Sequence, residues 1–132
     1  MVFTSLDERE LLKDILEQIS TAIGQLQEWN AEVTSEEEYY LSSGGMKKLA
    51  ASCMLIEAIG EGVKQIDKIS KGELLKERPE IPWPDVVGIR NHIAHGYFHI
   101  NGALVLSTIK NDLDPLQSAI AYFLESLSSP SP

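Results

Sequence analysis

The sequence predicts an all-α protein, an up-and-down bundle of about five helices that pairs into a dimer. Three observations point there. Apolar residues recur every three or four positions along most of the chain, three prolines cluster in one gap between such stretches, and no segment alternates convincingly as a half-buried strand would. At 132 residues and 43% hydrophobic content the chain suits one buried core. The expected domain is 1–127, followed by a disordered Ser- and Pro-rich tail at 128–132.

Ser5 with Glu8 reads as a capping box, and Leu12, Ile15, Leu16, Ile19, Ile23 and Leu26 follow at helical spacing. The first helix therefore covers about 6–29. Thr34 with Glu37 repeats the cap signal and opens a short second helix that Ser42-Ser43-Gly44-Gly45 ends or kinks. A third helix runs from Met46 to about Ser70 on Leu49, Cys53, Ile56, Val63 and Ile66, with Gly60 placed where another helix can come close. Pro79, Pro82 and Pro84 make 71–83 an ordered loop and suit Pro84 to the first turn of a fourth helix over 84–95. After a turn at Asn101-Gly102, a last helix carries Leu104, Ile109, Leu113, Leu116, Ile120, Phe123 and Leu127, kinked at Pro115. The small chain cannot cover the apolar faces of the third and fourth helices by itself, which is the physical reason to expect a dimer.

The net charge of −9 excludes a protein whose whole surface is a nucleic-acid footprint, so any RNA contact must be local. The acidic run at Glu32, Glu36, Glu37 and Glu38 reads as a solvated face or as a docking surface for a basic partner. Cys53, the lone cysteine, cannot form an internal disulfide, and its place among apolar residues at helical spacing predicts a packing role rather than a reactive thiol. No stretch approaches the roughly 18 apolar residues of a membrane span, and the first residues lack a signal-peptide pattern, so a cytoplasmic protein is expected.

All three histidines lie between 92 and 99, and histidine is the side chain suited to proton transfer near neutral pH. On one continuous helix Asn91 and His95 are a turn apart, so the amide can orient the imidazole, and Gly88 leaves that face open. The long Arg90 side chain can reach the same edge. Arg90 and His95 then suit RNA cleavage by internal transesterification, with proton transfer by the imidazole and phosphate binding by the planar guanidinium. Arg-x4-His is common by chance, and a salt-bridged Arg90 with a helix-capping His95 is the competing reading. His92 and His99 read as surface or packing histidines. No carboxylate or thiolate lies between 88 and 106, so a metal site is not expected.

The stretch Ile81-Pro82-Trp83-Pro84-Asp85-Val86-Val87-Gly88-Ile89-Arg90-Asn91, running into His95-Gly96-Tyr97-Phe98, resembles the signature of HepT-like proteins, a branch of the HEPN family. Ile56-Glu57-Ala58-Ile59-Gly60-Glu61 and Asn111-Asp112-Leu113-Asp114-Pro115-Leu116 fit the same pattern. The resemblance implies a homodimeric toxin encoded beside a minimal nucleotidyltransferase antitoxin, acting as a metal-independent endoribonuclease on RNA. It implies catalytic residues Arg90 and His95, with Asn91 orienting. Tyr97 becomes the acceptor on which the antitoxin places AMP, with no cofactor required. The alternative is a non-catalytic helical subunit that binds a nucleotide or the nucleotidyltransferase partner.

Overall fold

A computed structural model describes residues 6–128, and among them seven α-helices and no β-strand beyond one isolated bridge. The Ser5–Glu8 cap and most of the expected tail lie outside the described residues. Helix α1, Leu6–Trp29, buries the stripe read from the sequence, Leu12 through Leu26, against α3, Ser43–Ile69, and α7, Leu113–Ser128. The long helices form the bundle that the apolar periodicity predicts. No described helix is long and apolar enough to cross a membrane.

The chain leaves α1 through Asn30, which the sequence did not single out. Its side chain is fully buried: Nδ2 donates to the Leu26 carbonyl and to Ser52 Oγ, both at 2.9 Å, and Oδ1 accepts from the Tyr39 hydroxyl at 2.7 Å. Its carbonyl accepts from Lys110 Nζ at 3.0 Å. One amide thus ties α1 to α2, Glu37–Tyr40, and to α3, and its backbone reaches α6, Gly102–Asn111. Burial, reinforced by the Glu38 charge, pushes the Tyr39 phenol up to about 12. Asn30→Ala strands the Tyr39 hydroxyl in the core and is expected to cost about 3 kcal/mol, roughly 10 °C in Tm. Melting within about 2 °C of wild type contradicts this account of the junction.

Two cap readings need correction. The carboxylate that caps the turn before α2 belongs to Glu38, not Glu37: Oε2 accepts from the Thr34 and Ser35 N–H groups at 2.7 and 2.8 Å. Those backbone donors hold the Glu38 carboxyl below its usual range. Ser42 does not end a helix but starts one, since its Oγ accepts from the Gly45 N–H at 2.9 Å. Gly44 and Gly45 lie in the first turn of α3, where a Cβ on Gly45 would collide with the Glu38 and Tyr39 carbonyls. Gly60 does permit close approach, because a Cβ there would sit 2.9 Å from the Val86 carbonyl oxygen of α4, Trp83–Gly88.

Between α3 and α4 the loop is ordered and contributes to the core through Leu74 and Leu75. Lys71 and Gly72 adopt positive φ, and the Gly72 N–H closes on the Asp67 carbonyl at 2.8 Å, ending α3 where the sequence places its end. Trp83 opens α4. It is buried, its Nε1 donates to the Arg78 carbonyl at 2.9 Å, and its ring lies 5.9 Å from Phe123 of α7.

The helix predicted over 84–95 is broken. Helix α4 stops at Gly88, Ile89 joins it to α5, Arg90–Ile93, and Ala94 is extended at φ −160° and ψ 149°. The returning chain is what ends α5 at Ile93. The Asn101 N–H donates to the Ile93 carbonyl at 2.7 Å, and Ala94 pairs with Ile100 as an antiparallel bridge, so the groups that would extend the helix are taken. The predicted last helix is also two. Asp112 closes α6 with its N–H on the Thr108 carbonyl at 3.0 Å, and Pro115 falls in the first turn of α7, where its missing donor costs nothing.

Candidate active site

The Trp83–Phe123 contact fixes α4 against the bundle, and fully buried Ile93 fixes the end of α5. From there residues 94–100 form a small closed loop. The His95 N–H donates to the His99 carbonyl, and the His99 N–H to the Gly96 carbonyl, both at 3.1 Å. Gly96 turns the chain at φ +95°, a conformation that disfavours any side chain. The helix ends three residues before Gly96, which shapes the loop rather than the helix end. Its next residues, Tyr97 and Phe98, meet edge to face with ring centroids 5.3 Å apart and are 52% and 88% exposed.

This loop and α5 face α3 across an open cleft of about 560 Å³, where Arg90, Asn91, His95 and Tyr97 stand opposite Cys53 and Glu57. The residues predicted to act together are therefore together. The reason differs from the one read from the sequence: Asn91 and His95 do not share a helix face, because His95 lies beyond the helix end. Among the described residues no side-chain hydrogen bond joins them, and Arg90 makes no ion pair or hydrogen bond. An unpaired guanidinium at the mouth of a cleft is available to a phosphate, which a salt-bridged structural arginine is not.

A neighbouring groove of about 680 Å³ is larger but chiefly apolar, lined by residues such as Ile81, Ile89, Leu104 and Leu116. Gly88 and His92 line that groove and not the cleft, so Gly88 does not share a face with His95; Asn91 touches both. His99 is exposed and lines neither.

Sequence reasoning missed the α3 wall. Cys53 and Glu57 are one turn apart on α3, and the thiol donates to Glu57 Oε1 at 3.7 Å. Burial first, then the Glu57 charge, pushes the Cys53 thiol up to about 11, so it stays protonated. The signal was present in the i, i+4 spacing, since whatever face Cys53 packs on, Glu57 continues. Among the described residues no three His, Cys, Asp or Glu side chains gather as they would around a metal ion.

Residues 19–123 match the family described as ribonuclease HepT-like. Relatives are similar along most of their length. The "Probable ribonuclease HepT" of Thermococcus cleftensis is 31% identical over 80% of this chain and 88% of its own. Two Methanocaldococcus jannaschii proteins, named provisionally as RNases, are each 26% identical; one is matched over 92% of this chain and 90% of its own, the other over 86% and 94%. No solved structure gives a significant match. With the family match spanning most of the bundle and the whole of the cleft's lining segment, the chain belongs to the HepT-like ribonuclease family.

Proposed function

We propose that this chain is the toxin of a toxin–antitoxin pair: a cytoplasmic endoribonuclease, working as a homodimer, that cuts RNA by internal transesterification without a metal ion. A minimal nucleotidyltransferase antitoxin silences it by transferring AMP to Tyr97. The observation that carries this reading is the shared cleft, where an unpaired Arg90, His95 and the Tyr97 ring converge. Arg90 binds the non-bridging phosphate oxygens and steadies the charge that builds on phosphorus; His95 moves a proton; Asn91, at the same wall, orients the substrate or the imidazole. The segment 88–106 contains no Asp or Glu, so an RNA strand meets little repulsion from it despite the net charge of −9.

The dimer brings two such clefts together about a two-fold axis. The apolar groove along α4 and the exposed Phe98 supply surface that a second copy would cover. Expression in cells without the nucleotidyltransferase tests the function as a whole. Wild type is expected to arrest growth and His95→Ala to permit it; equal growth of the two strains contradicts the toxin reading.

A further inference from the structure

Internal transesterification moves two protons. One leaves the 2′-hydroxyl as its oxygen bonds to phosphorus, and another must reach the 5′-oxygen as its bond to phosphorus breaks. Among the described residues each copy's cleft holds one imidazole, His95, which serves one of these transfers at a time. Among the described residues Glu57 is the one carboxylate lining the cleft, opposite Arg90 and His95, and it is half-buried. Among the described residues its partner is the Cys53 thiol at 3.7 Å, and no Lys, Arg or His pairs with it. A carboxylate that holds no cation contributes little to the fold, and in an RNA cleft it repels phosphate, so its presence calls for a chemical role.

We propose that Glu57 is the general base of the cleft and that His95, as imidazolium, is the general acid; the assignment rests on the ribonuclease reading above. Glu57 takes the 2′-hydroxyl proton, the 2′-oxygen bonds to phosphorus, the bond to the 5′-oxygen breaks, and His95 gives that oxygen its proton. Nothing is oxidised or reduced, the ends are a 2′,3′-cyclic phosphate and a 5′-hydroxyl, and exchange with water resets both groups. The neutral Cys53 thiol holds the carboxylate in place without neutralising it. The charged and titratable groups that face Glu57 are Cys53 from its own helix, Arg90 from α5, and His95 and Tyr97 from the loop.

The test is steady-state cleavage of an oligoribonucleotide across pH by the wild type, Glu57→Gln and Glu57→Asp. Glu57→Gln should lower kcat by about 10²-fold or more, erase the acidic limb of the pH profile, and leave KM unchanged or lower, because a negative charge has left the RNA cleft. A packing role would instead raise KM or lower Tm. Glu57→Asp keeps a carboxylate one methylene back and should recover part of the rate and the acidic limb. A Glu57→Gln enzyme with wild-type kcat and both limbs overturns the assignment and leaves the ribonuclease standing, as does a Glu57→Asp enzyme lacking the acidic limb. A wild type that cuts no RNA removes the ribonuclease reading, and this assignment with it.

Discussion

His95→Ala is expected to lower RNA cleavage by about 10²- to 10⁴-fold, the usual contribution of a positioned proton-transfer group. Arg90→Ala should lose about 10²- to 10³-fold, the scale measured when one donor to a developing oxyanion is removed. Both side chains are exposed, and neither makes a hydrogen bond or ion pair that holds the fold among the described residues. Their loss should therefore leave helicity and Tm within the range of ordinary surface substitutions. Arg90→Lys keeps the charge but not the planar fork and should remain well below wild type. Asn91→Ala should cost less than either, since it orients rather than reacts. The measurement is single-turnover cleavage alongside a melting curve. A His95→Ala protein that cuts at more than a tenth of the wild-type rate would place the proton chemistry elsewhere.

The second large effect is loss of control in Tyr97→Phe. Tyr97 is 52% exposed and lines the same cleft as His95, so its hydroxyl is accessible to the α-phosphate of ATP on the proposed nucleotidyltransferase. In the proposed transfer the phenol gives up its proton, its oxygen bonds to that phosphorus and pyrophosphate leaves. Each AMP unit then adds a negative phosphate and a nucleoside to a cleft of about 560 Å³, opposing RNA by charge and by bulk. Incubation with the nucleotidyltransferase, ATP and Mg²⁺ should add AMP to the wild type and suppress cleavage. Tyr97→Phe should keep its fold and part of its activity and gain no mass. Tyr39 is buried, bonded to Asn30 and pushed up to about 12, which makes it a poor acceptor; Tyr40 and Tyr122 are surface controls. AMP on those controls with Tyr97 unmodified, or a Tyr97→Phe protein still silenced by AMP transfer, would contradict the mechanism.

Much of the fold was legible because burial in a helix repeats every three to four residues. The bounds of α1 and the end of α3 follow from that spacing and from the Lys71-Gly72 turn. What the pattern did not carry were breaks made by distant partners. Helix α5 ends at Ile93 because Asn101 and Ile100 return to pair with it, a fact of tertiary structure with no local signal at Ala94. Likewise, Asn30 reads as a polar residue after a helix, and only its neighbours make it a buried junction. For the candidate site, the closeness of Arg90, Asn91, His95 and Tyr97 was legible, and the four do line one cleft. Its geometry was not, because the continuous helix that seemed to align Asn91 with His95 is absent. The α3 wall stayed hidden since Cys53 and Glu57 lie more than thirty positions earlier in the chain.

The most direct measurement is made on the purified protein alone, mixed with RNA in excess EDTA, with the product ends identified. Cleavage should be undiminished by the chelator, leave 2′,3′-cyclic phosphate and 5′-hydroxyl ends, and be abolished by His95→Ala. No cleavage at all, or cleavage that returns only when a divalent ion is restored, would contradict the proposed mechanism.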